Sequence, residues 1–445
     1  MNTVTSAYPD DRVIAELAQS HGLKLCPVIF EMVPASVLYE FAAYLIPGRM
    51  AHWSFGKQYQ LLKLRYDYGL GKLYEMVVNT NPAYAFLLES NSSLENTMVR
   101  CHVFGHVDFF QTNYVFEPTH CNMIDVVSHH ADRIRQYEFQ YGRVVVEALL
   151  DSAMAIEEHV DWAPPDLSGL PPARAANDRG EADAGYPDLK PAAAKGSAHR
   201  STRASEYPAW DLLDIIVRHS DGLDSWQRDV VSMVREEMQY FWPQIRTKIM
   251  NEGWATYWHI RLMQELDLSD SDYVDYARLS AAVTAPHDFQ INPYGLGVRV
   301  FEDISRRFGE REMFFCREVE DDVSFVRNHL TQEIVDDLHL FVFGRDQQNV
   351  VVKSKDWKIV RDQLLHELTH GGVPVISVED GDFHHRGELY LLHHHDGVDL
   401  DLPYAEQTLK HVFKLWGRPV HLDTVSSGRR MVLTAEGDTI TQVLV

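Results

Sequence analysis

Apolar residues recur at three- and four-residue spacing over residues 10–20, 34–46, 53–69, 73–79 and 94–110, the period that lines one face of a helix. Asn81-Pro82 and Glu117-Pro118 mark breaks between these segments. A long helix is expected over 130–159. Its face collects Ile134, Tyr137, Tyr141, Val144, Ala148 and Ala155, with His130 and His159 on the same side. Further helices are expected over 210–216, 225–241, 248–264 and 296–308. Near residue 335 the period changes. LHLFVF and NVVVKS read as strands, 357–370 as a helix, and PVISV and GELYLLHHH as strands. A helix over 404–416, the strand PVHLDTV and a final hairpin complete the chain. Gly372-Val373-Pro374-Val375 and Gly417-Arg418-Pro419-Val420 echo one another after the two helices, which suggests two similar halves.

The expected architecture is therefore multidomain. A mainly α N-terminal body spans 1–162 and 208–332, interrupted by 163–207, and a small α/β domain with two similar halves occupies 333–445. The interruption is rich in Ala, Pro, Asp, Gly, Arg and Ser and almost lacks large aliphatic side chains. It cannot bury enough surface to offset the entropy of ordering, so a disordered insertion or a surface loop is expected.

Charge narrows the function. With 41 Lys and Arg against 65 Asp and Glu the formal net charge is −24, which opposes binding to nucleic acid or to anionic membranes. Four scattered cysteines form no CxxC pair, which argues against a disulfide framework or a thiolate zinc finger. No apolar stretch approaches the roughly 20 residues needed to span a bilayer. The first residues, MNTVTSAYPDDR, carry acids where a secretory leader carries bases, so a cytoplasmic location is expected.

The chemistry concentrates in RCHVFGHVDFF. His102 and His106 lie four residues apart, so both imidazoles project from one helical face about a turn apart. In KIMNEGWATYWH, Glu252 and His259 are seven apart and share a face as well. Two histidines on one helix plus a glutamate on a later one form the ligand set of gluzincin metallopeptidases, whose third-ligand helix the EGWA stretch resembles. A gluzincin-like helical core is thus expected, with a divalent metal (zinc, alternatively manganese or iron) on His102, His106 and Glu252. His129 and His130 are candidates to extend the site. Zincins place a glutamate after the first histidine to activate water, and here that position is Val103. Any hydrolysis then needs another base, for which Glu252, His259 and Asp108 are the candidates.

A literal HExxH, His366-Glu367-Leu368-Thr369-His370, occurs near the C-terminus, but no third-ligand helix follows it, and both histidines lie off the helix's apolar stripe. It reads as a decoy. His393-His394-His395 alternates faces along a strand and cannot present three imidazoles together. GLGKLYE lacks the Walker spacing, and Lys72 and Glu75 read as a helix start.

HWSFGKQY at 52–59, GLGKLYEMVVNTNPAYAFLLESNS at 69–92, HVFGHVDFF at 102–110, SHHADRIRQYE at 128–138 and TKIMNEGWATYWH at 247–259 together resemble the SpoVR (stage V sporulation protein R) family. NPYGLG at 292–297, RGELYL at 386–391 and LWGRPVHL at 415–422 extend the resemblance into the last domain. The resemblance implies a role in forming the spore cortex, hence peptidoglycan, or in a stress response alongside a serine protein kinase and a von Willebrand-type partner. Two functions stay open: a metal-dependent hydrolase acting on peptide or peptidoglycan-derived bonds, with Glu252 and His259 catalytic, and a non-catalytic regulatory or scaffold protein with a structural metal or none. A redox metalloprotein is a third.

Overall fold

The computed structural model describes residues 8–67, 72–160, 208–286, 290–346 and 349–445. The expected insertion at 163–207 lies outside them. Among the described residues the chain is mostly helical, with a β-rich C-terminal region after residue 374. No described helix is long and apolar enough to cross a membrane.

The residues group into two compact units, 1–141 with 239–372 and 142–238 with 373–445. These bounds differ from the expected ones: the segment 333–372 belongs to the helical body, and 142–238 joins the C-terminal region.

The first unit begins with α1 (Asp11–Ser20), β1 (Val28–Val33), α2 (Ala35–Tyr44), α3 (Trp53–Asp67), β2 (Glu75–Val78), β3 (Ala83–Leu88), α4 (Ser93–Thr112) and α5 (Met123–Tyr141). The expected helix over 73–79 is instead strand β2. The strands form a sheet in the order β1-β3-β2, with β1 parallel and β2 antiparallel to β3. Alternate residues Ala83, Ala85 and Leu87 of β3 pack on Val99, Val103 and Val107 of α4, a period of two meeting a period of four. A capping box starts α4: the Ser92 hydroxyl accepts from the Glu95 amide, and the Glu95 carboxylate accepts from the Ser92 amide.

The expected single helix over 130–159 is two, α5 and α6 (Arg143–Met154), divided at Gly142, whose φ of 91° no helix accommodates. Helix α6 and α7 (Leu212–His219) belong to the second unit, and α8 (Ser225–Arg246) carries the chain back to the first.

The helical body continues with α9 (Lys248–Glu265), α10 (Asp270–Thr284), α11 (Pro293–Phe308), α12 (Glu310–Val319), α13 (Asp322–His329) and α14 (Gln332–Asp337). Helix α9 is buried nearly all round, including Trp254 and Trp258, and so runs through the middle of its unit. Its first turn is capped from outside, because Asp322 accepts from the amides of Ile249 and Met250, both at 2.8 Å. Two neighbouring helices meet α9 at backbone contact. A Cβ on Gly105 of α4 would lie 2.6 Å from the Cα of Ala255, and one on Gly253 would lie 2.3 Å from the Cα of Gly297 in α11.

The unit ends with the hairpin β4 (Val342–Asp346) and β5 (Asn349–Ser354) and helix α15 (Trp357–Leu368), whose Val360 and Leu364 are buried. This hairpin is its own sheet, so the two similar halves do not form. The second unit instead holds one sheet in the order β10-β9-β8-β7-β6, from β6 (Ile376–Phe383), β7 (Glu388–His393), β8 (Val420–Ser426), β9 (Arg429–Glu436) and β10 (Thr439–Leu444). Only its β7–β8 pair is parallel, joined through α16 (Leu402–Trp416), which buries Leu409, Val412, Leu415 and Trp416. The shared Gly-x-Pro-Val string is thus a local helix-to-strand turn, too short to impose a repeat.

Candidate metal centre

Helices α4 and α9 carry His102, His106 and Glu252 to a common point, and the Gly105–Ala255 contact is what lets them approach. The Glu252 Oε2 lies 3.4 Å from the Nε2 of His102 and 3.5 Å from that of His106. Hydrogen bonds between such groups run at about 2.7–3.2 Å. Atoms held about 2.0–2.2 Å from one tetrahedral ion are separated by roughly 3.3–3.5 Å, the observed spacing. Both the His102 Nε2 and the Glu252 Oε2 are buried without a hydrogen-bond partner, which is costly unless something else satisfies them. The three residues therefore fit a divalent cation.

The outer nitrogens are already engaged. His106 Nδ1 donates to the Asn251 Oδ1 at 2.8 Å, which leaves its Nε2 lone pair facing Glu252. His102 Nδ1 lies 3.1 Å from the Nδ1 of His259. His259 thus stands behind His102, not beside the convergence point. Burial, reinforced by the two neighbouring imidazoles, holds its pKa well below the usual range, so it stays neutral and accepts the His102 proton.

Burial would raise the Glu252 carboxyl, but the two imidazoles outweigh it and hold the group far below the ordinary range. Between the histidines the same carboxylate acts unequally. Burial and the nearby His106 leave His102 lowered, whereas at His106 Glu252 overcomes burial and the group is raised.

Two further residues complete the pocket. Glu75, at the start of β2, lies close enough for its charge to couple to His106 and Glu252, and burial pushes its carboxyl up to about 7. Tyr294, in the first turn of α11, stacks on His102 with ring centroids 5.9 Å apart. The negative charge of Glu252, with burial, raises its phenol pKa well above the usual value. Neither was a candidate ligand or base from the sequence. Glu75 sits on a strand that the apolar spacing presents as a helix, and Tyr294 follows Asn292-Pro293 with no ligand spacing to mark it.

Asp108 is not available as a base. Its buried carboxylate pairs with Arg317 at 3.0 Å and accepts from the Trp254 indole at 2.8 Å and the Lys24 amide at 2.7 Å. His129 is exposed, with its Nδ1 2.8 Å from the Asp125 carbonyl oxygen, and His130 is buried on α5. Neither belongs to the ligand cluster. Val103 is fully buried against β3, about 100° round the helix from His102.

The HExxH string is not a two-histidine helix face. Helix α15 ends at Leu368, and His370 has a φ of +52° against Trp242. Of the three consecutive histidines only His393 lies on β7. They take separate partners: Thr424 for His393, Ser377 for His394 and Asp399 for His395.

Comparison with known proteins agrees with the strings noted in the sequence. Residues 5–373 match the family described as SpoVR like protein, and residues 374–427 match the SpoVR-like C-terminal domain. The second match begins one residue after Val373, where the β-rich segment of the second unit starts. A relative from Escherichia coli (strain K12), "Uncharacterized protein YcgB", is 27% identical over 460 residues, covering 92% of this chain and 90% of its own length. No solved structure matches. With its helical body and its C-terminal region both matched, the chain belongs to the SpoVR family.

Proposed function

We propose that the protein is a metal-dependent hydrolase of amide bonds in peptides or peptidoglycan-derived fragments, with His102, His106 and Glu252 as the ligands of one divalent cation, zinc by preference. The observation that carries this reading is the pair of buried, unpartnered atoms, His102 Nε2 and Glu252 Oε2, at tetrahedral-edge spacing. Once bound, such a cation supplies Lewis acidity toward a carbonyl oxygen and makes a water molecule acidic near neutral pH.

The protein's own residues take the remaining parts. Glu75 is the general base in place of the residue that Val103 replaces, because it is a carboxyl on another element, close enough for its charge to couple to His106 and Glu252. It accepts the proton of the attacking water and returns it to the leaving amine. Asn251 fixes the His106 tautomer and His259 fixes that of His102, so both Nε2 lone pairs point inward. Tyr294 stacks on the His102 ring and buttresses it. The spore-cortex and stress settings, with their kinase and von Willebrand-type partners, belong to this proposal through family membership.

Metal analysis of protein purified without a histidine tag, followed by turnover of peptide and muropeptide mixtures, tests it. His102→Ala and Glu252→Ala lose the metal, and His366→Ala keeps it. Glu75→Gln keeps the metal and loses on the order of 10²-fold or more in kcat. A metal-free wild type that folds equally well after chelation would falsify the metal reading. Metal without any turnover would favour a scaffold with a structural ion.

A further inference from the structure

We infer a second cation site, independent of the first, in which Cys316, Glu320 and His329 bind zinc at the corner between α12 and α13. Cys316 lies in the last turns of α12, Glu320 is the extended residue that ends that helix, and His329 is the last residue of α13. The turn between the helices folds their ends together. The Cys316 Sγ lies 3.5 Å from the Nε2 of His329, and the Glu320 Oε2 lies 3.1 Å from the same nitrogen. All three ligand atoms fall within 4.8 Å of one another.

A tetrahedral zinc with Zn–S of about 2.3 Å and Zn–N of about 2.0–2.1 Å places sulfur and nitrogen roughly 3.5 Å apart. The thiol–imidazole distance has this value before any ion is added. Cys316 is 2% exposed and Glu320 9%. The Oε1 of Glu320 accepts from the Asn328 amide at 2.9 Å and lies 3.3 Å from the His329 Nε2, while its Oε2, in ion-pair contact with that same nitrogen at 3.1 Å, has no further hydrogen-bond partner. Asn328 thus holds the Glu320 carboxylate against the histidine, as an outer partner orients a ligating carboxylate. Three protein ligands leave a fourth position for solvent.

Thiolate, imidazole and carboxylate together select zinc over magnesium or calcium, which take oxygen ligands. On binding, the thiol proton passes to solvent and the sulfur becomes a zinc thiolate. The ion would lock the turn that contains Asp321 and Asp322. Asp321 pairs with Arg246, and Asp322 caps α9, the helix that carries Glu252.

The test is cobalt substitution of the untagged full chain, because a sulfur ligand to Co(II) gives a near-ultraviolet charge-transfer band and the His102 site contains no sulfur. The cobalt protein should show that band and two equivalents of metal. Cys316→Ser and His329→Ala should each abolish the band and release one equivalent, while His102→Ala should release the other and keep the band. Retention of one equivalent by Cys316→Ser reports that the variant is folded. A cobalt-saturated wild type without the band, or a band that persists in Cys316→Ser, overturns the second site and leaves the first untouched.

Discussion

Gly105 lies between the two ligand histidines, and the contact it permits sets how far apart α4 and α9 stand. A methyl group there would come 2.6 Å from the Cα and 3.2 Å from the Cβ of Ala255. Carbon atoms in ordinary contact stay about 3.5–4.0 Å apart, so Gly105→Ala must drive the helices apart by about 1 Å. Backbone on one side of the clash and a buried helix on the other leave no flexible side chain to absorb it. Glycine costs a helix interior about 1 kcal/mol relative to alanine, a gain that offsets part of the strain. Overpacking of this kind costs typically 1–3 kcal/mol, so a modest net loss of stability is expected. The effect on the site is larger. Ligand distances tolerate only about ±0.2 Å, and a shift of α4 against α9 lengthens both separations from Glu252. Metal affinity, measured by competition with a chromophoric chelator, should fall by about tenfold or more, by analogy with the loss of an outer-sphere partner. Gly56→Ala is the control: nothing lies within 4 Å of its added Cβ, so it should be neutral or stabilising by up to about 1 kcal/mol. If Gly105→Ala matches the wild type in both thermal midpoint and affinity, the helix contact does not set the site and the argument fails.

Asn251→Ala should weaken metal binding by roughly 10–100-fold with little change in stability, and Asn251→Asp, which still accepts from His106, should recover most of it. Val103→Glu recreates HExxH in sequence but places a carboxylate against Ala83, Ala85 and Leu87; thermal denaturation should show a loss of roughly 3 kcal/mol or more, and hydrolysis should not increase. Asp322→Ala leaves the amides of Ile249 and Met250 without acceptors in a buried region, costing about 1–3 kcal/mol in denaturant titrations; an unchanged midpoint would contradict the cap. Burial raises the Glu75 carboxyl to about 7 in the absence of metal. In the metal-free protein the same raised pKa means that the native state retains a proton the unfolded state has lost, so stability falls as pH climbs from the ordinary carboxyl range toward 7. Glu75→Gln should flatten this stability profile.

The convergence of the candidate ligands was legible because their positions obey helical spacing. His102 and His106 sit four apart, Glu252 and His259 seven, and the segments that carry them are helices in the structure. Spacing could not show that His259 backs His102 instead of joining the site, since that depends on how α4 and α9 face each other. Glu75 was lost because EMVV reads equally as a short helix or a strand, and only pairing with β3 decides it. The broken helix at 142 turns on one positive φ inside a continuous apolar pattern. The Cys316 group escaped notice because its members come from two helices joined by a tight turn, at a spacing that matches no recognised motif.

The two halves of the ligand set stand far apart along the chain. Helix α4 ends at Thr112 and α9 begins at Lys248, and the whole 142–238 segment, which belongs to the other compact unit, is made between them. On a ribosome His102 and His106 therefore emerge long before their carboxylate partner, and no complete site exists until α9 has been synthesised. Loop closure over such a span is entropically slow to begin but adds little further cost with length. On the proposed metal reading, capture is consequently a late event in the life of each chain, and occupancy of the site would mark a molecule whose central helix has docked.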